Sequence, residues 1–114
     1  MLSFQNNLKI YLAIEACDMR KSFNGLYAIA TEQLNEDPRK GSLFVFRNRR
    51  KNRIKILYYD GSGLWVLAKR LEKGTFSWPK QKKDKIHIEP EALSMLINGI
   101  DMRDGCRRSW YERE

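Results

Sequence analysis

Six cations stand within nine residues in the middle of the chain: Arg47, Arg49, Arg50, Lys51, Arg53 and Lys55. No acid occurs between Arg39 and Tyr59. Guanidinium groups donate in pairs to phosphate oxygens or guanine edges, so a run of them unrelieved by carboxylates suits a nucleic acid. The alternative is a turn kept soluble by its charge, but such turns usually mix both signs. Across residues 39–85 fifteen Lys/Arg face three acids (Asp60, Glu72, Asp84), a net +12, while the rest of the chain carries −4 of a total +8. That segregation is the footprint of a phosphate-binding surface. A second basic run, Lys80, Lys82, Lys83 and Lys85, follows Phe76 and Trp78. It pairs phosphate contacts with a stacking surface for a single strand. The bland readings are a solvated loop for the lysines and core positions for Trp65, Phe76 and Trp78.

Catalysis finds less support. Two-metal nucleases gather carboxylates around ions about 4 Å apart. Asp60 and Glu72 are the acids nearest the basic centre. Glu72 lies eight residues beyond Leu64, roughly 25 Å along a straight strand, and so cannot share a metal with an acid at the preceding turn. Asp18 and Asp104 could approach only by folding, and their spacing does not suggest it. His87 is the single histidine, leaving no pair for zinc, and Cys17 has no histidine near it in sequence. Gly61-Ser62-Gly63 lacks the lysine and following helix of a phosphate loop and reads as a turn. A site assembled from distant acids remains the weakest of three functional readings. No catalytic residue, metal or cofactor is expected.

The elements that would position these cations follow from periodicity. Leu8, Ile10, Leu12 and Ile14 alternate with more polar residues, the pattern of a strand with one buried face. From Met19 the spacing changes to Met19, Phe23, Leu26, Tyr27, Ala30 and Leu34, one side of a helix, with Asp18 as its expected cap and Gly25 marking close packing on the sheet. Asn35–Pro38 ends it. Strands are expected at Leu43–Asn48, Ile54–Asp60 and Leu64–Arg70, joined by short turns that make antiparallel neighbours. A further extended piece spans Thr75–Trp78, and Lys80–Lys85 reads as a loop. Pro90 opens a last helix with Leu93, Leu96, Ile97 and Ile100 on one face and Gly99 near its end. The reading is one α+β domain over residues 1–100: strand, helix, an antiparallel meander of three to four strands, helix, with both helices on one face of a small antiparallel sheet. Residues 101–114, with four basic and four acidic residues, are expected to be a loosely held polar tail.

At 114 residues, 42% hydrophobic, the chain is long enough to bury a core without staples. No window approaches the roughly twenty apolar residues that cross a bilayer, no secretory signal is evident, and Cys17 and Cys106 are read as free thiols. The expectation is a cytoplasmic protein.

The stretch from Ile10 to Pro79 resembles the TnpB accessory proteins of insertion-sequence family sixty-six, also called Orf2-like. The likeness rests on residues 17–26 (CDMRKSFNGL), 44–50 (FVFRNRR), 55–61 (KILYYDG) and 69–74 (KRLEKG), followed by Phe76, Trp78 and Pro79. Tyr59 departs from the tryptophan frequent there. The resemblance implies a protein encoded on a mobile element, acting with a separate transposase that carries the catalytic carboxylates and with a second small accessory protein, its oligomeric state left open. It carries over functional surfaces only, chiefly Arg20, Lys21, Arg47, Arg49, Arg50, Lys55, Lys69, Arg70 and Lys73. Two readings stand ahead of the nuclease: an accessory that binds DNA at the element's ends through the basic hairpin, and an adaptor whose basic surface docks on the transposase.

Overall fold

The structure is a computed structural model that describes residues 8–99. Five strands, β1 (Ile10–Ala13), β2 (Leu43–Arg47), β3 (Arg53–Tyr59), β4 (Leu64–Arg70) and β5 (Lys85–Ile88), form one sheet in the order β4-β3-β2-β1-β5. All neighbours are antiparallel except β1 and β2, which run parallel. A parallel pair needs a crossover, and helix α1 (Phe23–Ala28), continued by the π-helical segment Ile29–Gln33, supplies it. Helix α2 (Pro90–Ile97) follows β5. The α+β class and the β2-β3-β4 meander are as the periodicity predicts.

The helices do not share a face. Ile10, Leu12, Leu43, Val45, Ile54, Ile56, Ile86 and Ile88 pack with Ala92 and Leu96 of α2. Ala13, Phe44, Phe46 and Leu57 pack with Leu26, Ile29, Ala30 and Leu34 of the α1 segment. Each set takes alternate strand positions, so one helix covers each side. The reason is visible in β2, where Leu43-Phe44-Val45-Phe46 is apolar at every position and buried throughout. A strand apolar at both parities needs cover on both faces.

Three local readings change as well. Thr75–Trp78 is not a strand. It belongs to the connection from β4 to β5, which inserts Phe76 (1% exposed) and Trp78 (7%) into the α2-side core. The Trp78 indole N–H donates to the Ala13 carbonyl at 2.9 Å, which satisfies the one polar atom that side chain buries. The fifth strand is Lys85–Ile88, whose Ile86 and Ile88 are buried beside β1. Asp18 caps a turn ahead of α1 rather than the helix, since Ser22 occupies the N-cap position. Gly25 meets the Cβ and Cγ of Lys21 at 3.0 and 3.1 Å from where its own Cβ would stand, so its missing side chain admits that lysine rather than the sheet. Pro90 at the start of α2 and Gly99 at its end, with φ +74, are as expected, while Ile100 and residues 101–114 lie outside the described residues. Among the described residues no helix is long and apolar enough to cross a membrane.

Candidate nucleic-acid interface

The strand directions gather three connections at one end of the sheet. β1, β2 and β4 finish there and β3 and β5 begin there, so segment 14–22, turn 48–52 and segment 71–84 are neighbours. Main-chain bonds tie them together. The Cys17 N–H donates to the Arg47 carbonyl (2.9 Å), Leu71 N–H to the Asn52 carbonyl (2.9 Å), Phe76 N–H to the Lys51 carbonyl (2.6 Å) and Ile14 N–H to the Asp84 carbonyl (3.0 Å). Both basic runs seen in the sequence therefore sit at one end of the molecule.

Turn 48–52 is built by a neutral side chain. Asn48 Oδ1 accepts from the N–H groups of Asn52 (3.1 Å) and Arg53 (3.0 Å), and Asn48 Nδ2 donates to Asn52 Oδ1 (2.7 Å). Lys51 holds φ +62, a left-handed conformation that closes hairpins of this length at some cost for a residue with a Cβ. With segment 71–76 bonded along it, the turn is the wall of a surface. Held in this way, the hairpin tip is not a ribbon standing clear of the fold.

The candidate cations divide into two groups. Arg47 is a clamp: Nε and Nη2 donate to the Ile14 carbonyl (3.1 and 2.8 Å) and Nη1 to the Asn48 carbonyl (3.3 Å), fastening the ends of β1 and β2. Burial works against its charge and lowers its pKa, with Glu15 opposing. Lys55 Nζ donates to the Lys21 carbonyl (2.8 Å), Lys69 Nζ to the Ile97 carbonyl at the end of α2 (2.8 Å), and Lys85 Nζ to the Leu34 carbonyl (2.6 Å) beside Glu36 (3.2 Å). Arg20 is held by Asp18, through Nη2 at 2.7 Å and through its own backbone N–H. That pairing depresses the Asp18 carboxyl to about 2 and raises the Arg20 guanidinium. Arg47, Lys55, Lys69 and Lys85 thus each commit at least one donor to a main-chain carbonyl of the fold, whereas the Arg20–Asp18 pair lies at the surface.

Arg49, Arg50, Arg53, Lys73, Lys80 and Lys82 are exposed and make no side-chain bond to any described residue. Arg70 meets Glu72 at 3.5 Å with both largely in solvent, a contact worth little. Lys21 projects from segment 14–22, and Lys51 and Lys83 have bonded or charged neighbours. On the α1 side a groove of about 420 Å³ runs between Met19 and strands β3 and β4, lined by Arg53, Lys55, Arg70 and Glu72. Lys21 joins it through the bond its carbonyl accepts from Lys55. Segment 14–22 thus enters the site, a neighbourhood that the period-two and period-3.6 patterns do not reveal. Phe76 and Trp78 are buried and offer no stacking platform; among the described residues the accessible tryptophan is Trp65, 45% exposed on β4.

The acids of the described residues give no metal centre. Asp60 accepts from Ser62 N (2.8 Å), Ser62 Oγ (2.9 Å), Gly63 N (2.9 Å) and Trp65 Nε1 (2.8 Å), and these bonds hold its carboxyl well below the usual range. It stands at the opposite end of β4 from Glu72. Among the described residues no three His, Cys, Asp or Glu side chains cluster where an ion could bind. Burial, followed by the charge of Asp18, pushes the Cys17 thiol up, away from the reactive thiolate.

The family model described as "IS66 Orf2 like protein" matches residues 8–107. Among curated relatives, the uncharacterized protein y4jC of Sinorhizobium fredii (strain NBRC 101917 / NGR234) is 39% identical over 101 residues, covering 89% of this chain and 86% of its own. The uncharacterized protein y4hO of the same strain is 39% identical over 103 residues, 90% of each. No solved structure matches. The match embraces every strand and both helices as well as the segments that meet at the basic end, and the chain belongs to the IS66 Orf2-like family, proteins associated with the transposition of insertion sequences.

Proposed function

We propose that the basic end of the sheet grips the phosphates of DNA at the ends of the insertion sequence, as a non-catalytic aid to the element's transposase in the cytoplasm. One observation carries this reading: three connections remote in sequence converge on one end and present Arg49, Arg50, Arg53, Lys73, Lys80 and Lys82 with no internal partner among the described residues. Unpaired cations at a common surface repel one another, a cost a polyanion removes. The groove at Arg53, Lys55 and Arg70 offers a track for one backbone strand, with Lys21 at its margin. Contact is through phosphates first, since the pinned turn favours surface docking over insertion. Gel shifts with terminal DNA test it. Changing Arg49, Arg50 and Arg53 together to alanine should abolish the shift at moderate salt; unchanged binding at low salt would sink the assignment.

The adaptor reading, in which this surface docks on an acidic patch of the transposase, rests on the same cations. Co-purification with the isolated transposase after nuclease treatment favours it. Loss of the complex on removing nucleic acid favours DNA.

A further inference from the structure

We propose that β4 is a self-pairing edge through which two copies of this chain join into one continuous ten-stranded sheet. β4 is one of the two edge strands, paired among the described residues with β3 alone, and its seven residues contain no proline. The phase of its ladder is fixed at both ends. Asp60 N–H bonds the Gly63 carbonyl and Leu71 N–H bonds the Asn52 carbonyl, so odd-numbered residues of β4 turn their backbone groups to β3. Leu64, Val66, Ala68 and Arg70 turn theirs outward, and no described residue meets them. Unpaired edges of this length attract another strand.

The sequence of β4 complements itself in one antiparallel register. With Leu67 opposite Leu67 of a second copy, the outward groups of Leu64 face those of Arg70 and the groups of Val66 face those of Ala68, so the whole strand is used. On the α2 side, Trp65 (45% exposed) then lies across from the aliphatic stem of Lys69, and the two Leu67 side chains (38% exposed) meet on the axis. On the α1 side, Leu64 lies across from Arg70 and Val66 from Ala68. No like charges oppose each other. Lysine commonly guards an edge, but Lys69 is drawn off to the Ile97 carbonyl, away from it. Beside β4 an entirely apolar cleft of about 260 Å³, bounded by Ile56, Leu67, Leu93 and Ile97, brings further apolar surface to the seam. A two-fold axis perpendicular to the sheet keeps both basic grooves on one side of it.

Sedimentation equilibrium without DNA tests the pairing independently of the proposed DNA contact. The expected result is a monomer–dimer equilibrium, with Ala68→Pro raising the dissociation constant at least about tenfold, because the lost N–H points outward and serves no bond within the chain. Near-UV circular dichroism checks that this variant folds. In a Cys17→Ala/Cys106→Ser background, Leu67→Cys should form a disulfide-linked dimer under mild oxidation, since directly opposed positions come within disulfide reach, whereas Ala68→Cys should not. A species of 13.5 kDa at every concentration overturns the proposal, leaving the edge to a strand of another protein. So does a dimer that Ala68→Pro leaves intact and Leu67→Cys fails to trap.

Discussion

The two turns of the β2-β3-β4 meander solve the same problem with opposite electrical results. At residues 60–63 a carboxylate does the work: Asp60 collects two backbone N–H groups, the Ser62 hydroxyl and the Trp65 indole. At residues 48–52 the amide oxygen of Asn48 collects two backbone N–H groups. Either side chain satisfies the turn, because a backbone donor needs an oxygen and not a charge. The choice of asparagine leaves Arg49, Arg50 and Arg53 without a neutralising neighbour, while the aspartate brings a carboxylate to its own turn. Turn stability and surface charge are therefore separable, and the basic end spends its charge on something other than folding.

Within the basic end the same separation holds between residues that build and residues that present. Phe76 anchors segment 71–84 beneath the turn, so Phe76→Ala should have the largest effect, about 3–5 kcal/mol of stability by chemical denaturation. Arg47→Ala follows. Removing a clamp of three charged hydrogen bonds should cost about 2–3 kcal/mol in the same measurement, and DNA binding should fall only in step with folding. A weakened complex at unchanged stability would move Arg47 back among the contact residues. Asn48→Asp imports the chemistry of the other turn. With the Asn52 amide turned over so that its NH2 donates to the new carboxylate, stability should stay within about 1 kcal/mol of wild type, while DNA affinity drops because a carboxylate now stands among the arginines. If affinity is unmoved, the contrast between the turns has no functional meaning.

How much of this is legible in the sequence depends on the length scale of each contact. β2, β3 and β4 show themselves through apolar runs and short polar turns, all local signals. β5 is hidden because four residues behind a lysine run carry too little pattern. The opposite placement of the helices was available in Leu43-Phe44-Val45-Phe46, where both parities are apolar, but helix sequence alone does not say which side a helix takes. The cation cluster is visible, yet its division is not: Arg47 shares parity with Leu43 and Val45, the one hint that it turns inward, and its partner is a carbonyl thirty-three residues away. Lys55, Lys69 and Lys85 likewise find carbonyls that only the tertiary fold brings near.

The smallest expected effect concerns acid. Hydrogen bonds hold the Asp60 carboxyl below its ordinary value, so the stability it lends is present above the unfolded carboxylate pKa and is lost only as pH falls through the lower folded value. The Trp65 indole N–H resonance should keep its position through the ordinary carboxylate range and move only below it. A shift at the ordinary range would mean that the turn is not held as described.

The central claim, that the charge at one end of the sheet serves DNA, is tested most directly by the salt dependence of binding measured by fluorescence anisotropy on terminal DNA. Wild type is compared with Arg49/Arg50/Arg53→Ala at the basic end and with Arg39/Lys40→Ala, exposed cations ahead of β2. The slope of log affinity against log salt should fall by about 3 for the triple variant, roughly one per lost phosphate contact, and change little for the double. Equal slopes for all three proteins would contradict it.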